Sequence, residues 1–225
     1  MKYYLIIFTL LVLILIYYLI QIYFTKSHVN KLKLLSREEI SELGSKIIVV
    51  GNSPNIMTEK KGKLIDKFDI VVRFNEFKYV PEYTGKKTTI WVTHYANNKK
   101  IDCKYKIFLY NCNKFNYDIK TNTKKILSCF TNLGTYNNKS MVRKIPNEVY
   151  YYKNKYLFPT SGFALILYLL NFNKIIYIHG FSFDTTHYYN DYTQYLTNKT
   201  MTIHDYNAEK EIVNDLIRKG RIILL

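Results

Sequence analysis

Two of the chain's five histidines, His187 and His204, stand seventeen residues apart in polar stretches towards the carboxy terminus, with Glu209 five residues beyond the second. Imidazoles change charge near neutral pH, so such a pair beside a carboxylate suits acid–base work. A single loop histidine is more often only solvated, and Asp205 reads as the cap of a following helix. Upstream lie four short polar segments. Gly51-Asn52-Ser53-Pro54-Asn55 and Arg73-Phe74-Asn75 each follow an apolar run. Pro159-Thr160-Ser161-Gly162 precedes one, and His179-Gly180-Phe181 ends another. Backbone donors at a Gly-rich turn and hydroxyls at a helix start are what phosphate and ribose oxygens need. Each segment alone is equally an ordinary turn or cap.

Two patterns are missing from the sequence. Gly51–Asn55 is not G-x-G-x-x-G, so the dinucleotide fingerprint is absent. No Asp-x-Asp occurs in the chain, so the paired carboxylates that grip a nucleotide diphosphate through a divalent metal are lacking. A nucleotide monophosphate carries less charge and can be held by amides, hydroxyls, tyrosines and an imidazolium.

The elements that must position these residues follow from hydrophobic pattern. Lys46–Val50, Asp69–Phe74, Thr88–Thr93, Lys106–Tyr110, Lys125–Phe130, Lys174–Ile178 and Arg221–Leu225 are continuous β-branched runs. Such runs predict strands covered on both faces. Gly162–Phe172 predicts a helix apolar nearly all round. Asn207–Lys219 predicts an amphipathic one, with Ile212, Val213, Leu216 and Ile217 on one face. Strands alternating with helices predict an α/β fold: a single doubly wound, mostly parallel sheet with ligands at the carboxyl ends of its strands.

Tyr3–Phe24 carries no charge and is almost wholly apolar. As a helix rising ~1.5 Å per residue, a run of about twenty residues spans the ~30 Å hydrocarbon layer. Tyrosines near both ends suit the interfaces, and no small-residue cleavage site marks a signal peptide. The expected organisation is a transmembrane anchor at 3–24, a basic stem at 25–45 that starts a helix after Ser36, and one domain at 46–225. Lys26, Lys31, Lys33 and Arg37 follow the span and only Lys2 precedes it, an asymmetry that points the domain to the cytoplasm.

Net charge is +16, and 48 % of residues are hydrophobic. The charge suits an anionic ligand, but the lysines are scattered rather than clustered, so no nucleic-acid partner is expected. Cys103, Cys112 and Cys129 have no metal-like spacing and are expected as buried thiols.

Taken together, the segments resemble the animal-type sialyltransferases, family 29 of the glycosyltransferases. Ile48–Asn75 (IVVGNSPNIMTEKKGKLIDKFDIVVRFN) resembles the family's large sialyl motif, and Pro159–Phe181 (PTSGFALILYLLNFNKIIYIHGF) its small one. His187-Tyr188-Tyr189 matches the third motif and His204–Glu209 (HDYNAE) the very small one, all in the family's order. The resemblance implies a GT-A-like sialyltransferase domain that moves sialic acid from CMP-sialic acid to a glycan acceptor, with inversion, without metal and without a cofactor. It implies that Asn52 and Asn75 hold phosphate and ribose, with Ser53 and Gly180 beside them, and that Thr160, Ser161 and Gly162 hold the nucleoside. His204 would be the general base, His187 would stabilise the departing phosphate, and Glu209 would support the geometry. Transfer of another CMP-activated acidic sugar such as Kdo, or nucleotide or glycan binding without catalysis, are the alternatives.

The family's motif disulfide would fall at Ile47 and Asn173, so both of its cysteines are replaced together. That replacement suits a domain that folds in a reducing compartment, or a divergent viral or microbial member of the family. The family's type II topology, with a luminal domain, and the sequons at Asn138 and Asn198 point the other way.

Overall fold

A strand whose residues are all β-branched or aromatic is stable only where both sheet faces are covered. The computed structural model, which describes residues 2–93, 101–108, 141–146, 151–152, 155–156, 159–172, 175–183 and 204–225, builds such a sheet. Its first strands are β1 (Ile47–Val50), β2 (Ile70–Phe74), β3 (Ile90–Thr93), β4 (Tyr105–Phe108) and β5 (Met141–Lys144). A two-residue hairpin, β6 (Tyr151–Tyr152) and β7 (Lys155–Tyr156), precedes β8 (Ile176–His179) and β9 (Ile222–Leu224). Seven strands form one sheet in the order β5-β4-β3-β2-β1-β8-β9, and every pairing in it is parallel. Six of the expected runs are therefore strands. The seventh, Lys125–Phe130, lies outside the described residues. Edge strand β5 (MVRK) was not expected, because two basic residues in four leave no apolar run to read.

Alternate residues feed the two faces. Ile47, Val49, Ile70, Val72, Ile90 and Val92 join the larger core, whereas Ile48, Val50 and Val71 join a smaller cluster with Ile56, Ile65 and Phe68. Helix α1 spans Lys2–Lys31, α2 Arg37–Leu43, α3 Gly62–Ile65, α4 Pro81–Thr84, α5 Ser161–Leu170 and α6 Tyr206–Arg218. The larger core takes Ile40 from α2, Val213 from α6 and most of α5, of which Phe163, Leu165, Ile166 and Leu169 are fully buried. Each such side chain contributes about 1.5–3 kcal/mol. The expected stripe on α6 is present: Val213 is buried, and Ile212, Leu216 and Ile217 pack beside it.

Along α1 the described side chains from Tyr3 to Tyr17 are all exposed. Among the described residues no helix is long and apolar enough to cross a membrane. Within the segment expected as a stem, Leu35 and α2 pack on the sheet. Ser36 caps α2 through a reciprocal capping box with Glu39. Leu35 and Ile40 are buried, and the Glu39 carboxylate accepts from Arg143 twice, from Nε, whose one N–H is shared between Oε1 at 2.9 Å and Oε2 at 3.1 Å, and from Nη2. Cys103 is a buried thiol beside Phe77 and Trp91, while Cys112, Cys129 and Asn173 lie outside the described residues.

Candidate active site

From β1 the chain adds β2 to β5 on one side and β8 and β9 on the other. The connections therefore diverge between β1 and β8, and the candidate crevice is the position outside their carboxyl ends, where a doubly wound sheet usually holds its ligand. Gly51 and Gly180 form its floor. Gly51 N–H donates to His179 O at 2.8 Å and Ser53 N–H to Gly180 O at 2.9 Å, extending the ladder beyond the strands. A Cβ on Gly51 would lie 2.2 Å from Gly180 O, and Gly180 has φ +75°, so both positions require glycine.

The wall on the β2 side is held by main-chain carbonyls. Asn52 Nδ2 donates to Phe74 O (3.2 Å) and Glu76 O (3.1 Å), tying the loop after β1 to the end of β2. Asn75 has φ +46°, a region asparagine tolerates, and its backbone is pinned twice: its N–H donates to Val92 O and its carbonyl accepts from Trp91 Nε1. Arg73 is directed away from this wall: its Nε donates to Lys87 O at 3.0 Å, and its guanidinium lies over the rings of Phe77 and Tyr79. Ser53 differs from its neighbours. It is buried, and among the described residues its Oγ has no hydrogen-bond partner. An unmet buried hydroxyl costs about 1–3 kcal/mol, which a ligand oxygen would recover.

The opposite wall joins two helix amino termini. Thr160 caps α5, its Oγ1 accepting from Phe163 N at 3.3 Å. Glu209 comes from the first turn of α6 and is 1 % exposed. Its Oε1 accepts from Thr160 N–H at 2.6 Å and its Oε2 from Thr160 Oγ1 at 2.8 Å. Burial pushes the Glu209 carboxyl up to about 7, against the opposing pull of those two hydrogen bonds. Asp205 caps α6 as expected, its Oδ1 accepting from Ala208 N at 3.0 Å. His204, the residue before that cap, has its ring 5.9 Å from that of Tyr206. The Glu209–Thr160 link thus ties the His204 segment to the start of α5. Ser161 is buried there, and Gly162 admits Phe181, whose ring would lie 2.8 Å from any Cβ at that position.

A model of glycosyltransferase family 29 (sialyltransferase) matches residues 20–107 and 76–221. The chain belongs to that family. It is a glycosyltransferase of the sialyl-transfer type, and no curated protein matches it. Among solved structures, a mammalian sialyltransferase is similar at TM-score 0.62 and 16 % identity, over 91 % of this chain and 78 % of that one. A mammalian sialyltransferase in complex with Gal-beta-1-3GalNAc-ortho-nitrophenol is similar at TM-score 0.58 and 16 % identity, over 83 % and 72 % of the two chains. The sialyltransferase CstII from Campylobacter jejuni, with the substrate analogue CMP-3FNeuAc, gives TM-score 0.49 at 17 % identity, over 80 % of each chain.

In this family-29 fold, Asn52, Ser53, Asn75 and Gly180 meet at the crevice between β1 and its neighbours, and Thr160, Ser161 and Gly162 form the amino terminus of α5. Glu209 reaches Thr160 directly. His187 lies outside the described residues. Among the described residues no group of His, Cys, Asp or Glu is placed to hold a metal ion. In sequence His179 reads only as the end of a strand. Its Nδ1 lies 3.1 Å from Leu225 O, its Nε2 is buried with no partner among the described residues, and burial holds the imidazole below its ordinary value. Its place as the last residue of β8, opposite Val50, was the available signal.

Proposed function

We propose that this family-29 enzyme transfers sialic acid from CMP-sialic acid to a hydroxyl of a glycan acceptor, with inversion and without a metal. The observation that carries the reading is the Glu209–Thr160 link. It joins the segment bearing His204 to the α5 terminus that would cradle the nucleotide. In this reading Asn75, Ser53 and the backbone around Gly180 line the phosphate and ribose pocket, and Asn52 holds that pocket's loop in place. Thr160, Ser161 and Gly162 receive the nucleoside. His204 takes the proton from the acceptor hydroxyl as that oxygen attacks the anomeric carbon. The C–O bond to CMP breaks and the phosphate leaves with the electron pair, the role proposed for His187 being to stabilise it. Preorganised donors around the leaving phosphate and a fixed base supply the rate acceleration, since the anomeric carbon is tertiary and ionises readily. Glu209 acts as a positioning residue through Thr160. The mammalian relative crystallised with a galactosyl disaccharide supports a glycan as acceptor.

We further read α1 as the membrane anchor. Support comes from the uncharged stretch Tyr3–Phe24, about 33 Å long as a helix, and from the exposure of its described side chains.

The test is a donor screen. The full chain in detergent is incubated with CMP-sialic acid and CMP-Kdo, with and without chelator. Release of CMP from CMP-sialic acid, unchanged by chelator, is expected. His204→Ala should lower transfer about 10²–10⁴-fold. Turnover of CMP-Kdo alone would reassign the sugar, loss on chelation would remove the metal-free mechanism, and full activity of His204→Ala would remove the base.

A further inference from the structure

Among the described residues, two other than glycine have positive φ: Asn75 at +46° and Phe183 at +54°. A left-handed residue costs about 1–2 kcal/mol and persists only where its surroundings hold it there. Asn75 follows β2 at the carboxyl edge, just past the Phe74–Val92 pair that ends the β2–β3 register. Its N–H continues the ladder to Val92 O at 2.7 Å. Its carbonyl accepts from a side chain, Trp91 Nε1, at 2.9 Å. Trp91 is the chain's single tryptophan, is 1 % exposed and packs with Phe77 and Cys103. An apolar ring would fill much of that space, whereas the indole also brings a donor fixed in the ring plane.

The strand register supplies what steadies the indole. Arg73, Trp91 and Lys106 are successive partners across β2, β3 and β4, so their side chains share one face of the sheet. Lys106 is buried, and its Nζ lies 4.3 Å from the centroid of the Trp91 ring. A cation over an aromatic face is attracted by the ring and polarises it, which strengthens the indole N–H as a donor. On the β2 side the Arg73 guanidinium lies over Phe77 and Tyr79, and its Nε is bonded to Lys87 O. The transfer chemistry itself uses neither Trp91 nor Lys106.

We infer that Trp91, steadied by Lys106, is a positioning residue for the donor: its indole N–H fixes Asn75 in the left-handed conformation that presents this residue to the donor's phosphate and ribose. Backbone angles decide where a side chain points, so releasing the Asn75 carbonyl lets the residue relax and its amide lose direction. The inference rests on the sialyl-transfer reading, with Asn75 lining the phosphate and ribose pocket.

The full chain in detergent is compared with Trp91→Phe, Lys106→Met and Phe77→Leu. The readouts are calorimetric titration of CMP, the KM values of donor and acceptor, and thermal unfolding. Trp91→Phe keeps an aromatic ring and removes the donor N–H. It should weaken CMP binding roughly tenfold, the worth of one good hydrogen bond, and raise the KM for CMP-sialic acid in step. The acceptor's KM should not move. Lys106→Met should weaken CMP binding severalfold. Phe77→Leu loosens the same cluster without removing the indole donor, so a lowered unfolding temperature with unchanged CMP affinity is expected. In the unaltered protein the fluorescence of Trp91 should change saturably as CMP binds. Unchanged affinity in Trp91→Phe or Lys106→Met, an equal loss in Phe77→Leu, equal rises in both KM values, or fluorescence indifferent to saturating CMP would overturn the inference. In each of those cases, CMP binding and transfer by the unaltered protein would leave the sialyl-transfer reading standing. Absence of CMP binding by the unaltered protein would remove that reading and the inference with it.

Discussion

The two walls of the crevice are closed by different chemistry. On the β2 side, Asn52 donates to two main-chain carbonyls, and the backbone of Asn75 is fixed by Val92 and Trp91. On the helix side, closure depends on one buried carboxylate, Glu209, bonded to both polar groups of Thr160. The four bonds just named join amides and an indole to main-chain carbonyls, and none of those groups titrates. The second wall is held by a group whose carboxyl is pushed up to about 7. On the proposed reading the nucleotide phosphate would rest against the first wall, and the segment bearing His204 would be coupled to it through a linkage that feels pH.

Substitutions can break this contrast at known points. The largest effect should come from Gly51→Ala. The added methyl collides with Gly180 O, which neither strand can yield without losing the β1–β8 ladder. Destabilisation of about 3 kcal/mol or more and loss of CMP binding are expected, measured by thermal unfolding and calorimetry. Glu209→Ala comes next. It leaves two donors of Thr160 unmet and should cost about 2–3 kcal/mol, with transfer reduced roughly 10–100-fold.

The pH dependence of the unaltered protein follows from the same residue. The Glu209 carboxyl is raised from 4.5 to about 7 in the folded state, so the native protein holds the extra proton between those values. Stability should be highest below about pH 4.5 as far as this group is concerned. It should then fall as pH rises through the window, by about 3 kcal/mol in all. Glu209→Gln should abolish that slope in urea titrations, and an unchanged slope would dissociate Glu209 from it. Asn52→Ala should cost about 1–3 kcal/mol without any such pH signature.

Ser53→Ala sharpens the comparison from the other direction. Deleting a buried hydroxyl without a partner among the described residues should leave the unliganded fold as stable or up to about 1 kcal/mol more stable. The same change should weaken nucleotide binding severalfold.

Much of this was legible in the residues. The β-branched runs fixed the central strands, because two-sided burial leaves no alternation to misread, and α5 and α6 were announced by an all-round apolar run and a single stripe. Asp205 and Ser36 behaved as the caps their positions implied. Less legible were contacts between residues distant in sequence. Nothing local in Glu209 says that it crosses to Thr160, 49 residues away, and nothing in MVRK says that it forms an edge strand whose arginine clamps Glu39. Basic residues hid that strand, since its apolar content is too low to stand out from a loop. The stretch before Lys46 likewise reads as a basic linker until Leu35 and Ile40 are seen in the core. Asn52 illustrates the same limit inside the site: its motif marks it for a ligand, while its side-chain amide is spent on holding β1 to β2.

Calorimetric titration of CMP into the full chain, for the unaltered protein and for Ser53→Ala, tests the crevice assignment most directly. Saturable one-to-one binding, weakened severalfold in a variant whose unfolding temperature is not lowered, is the predicted result. Absence of CMP binding, or equal affinity in both proteins, would contradict it.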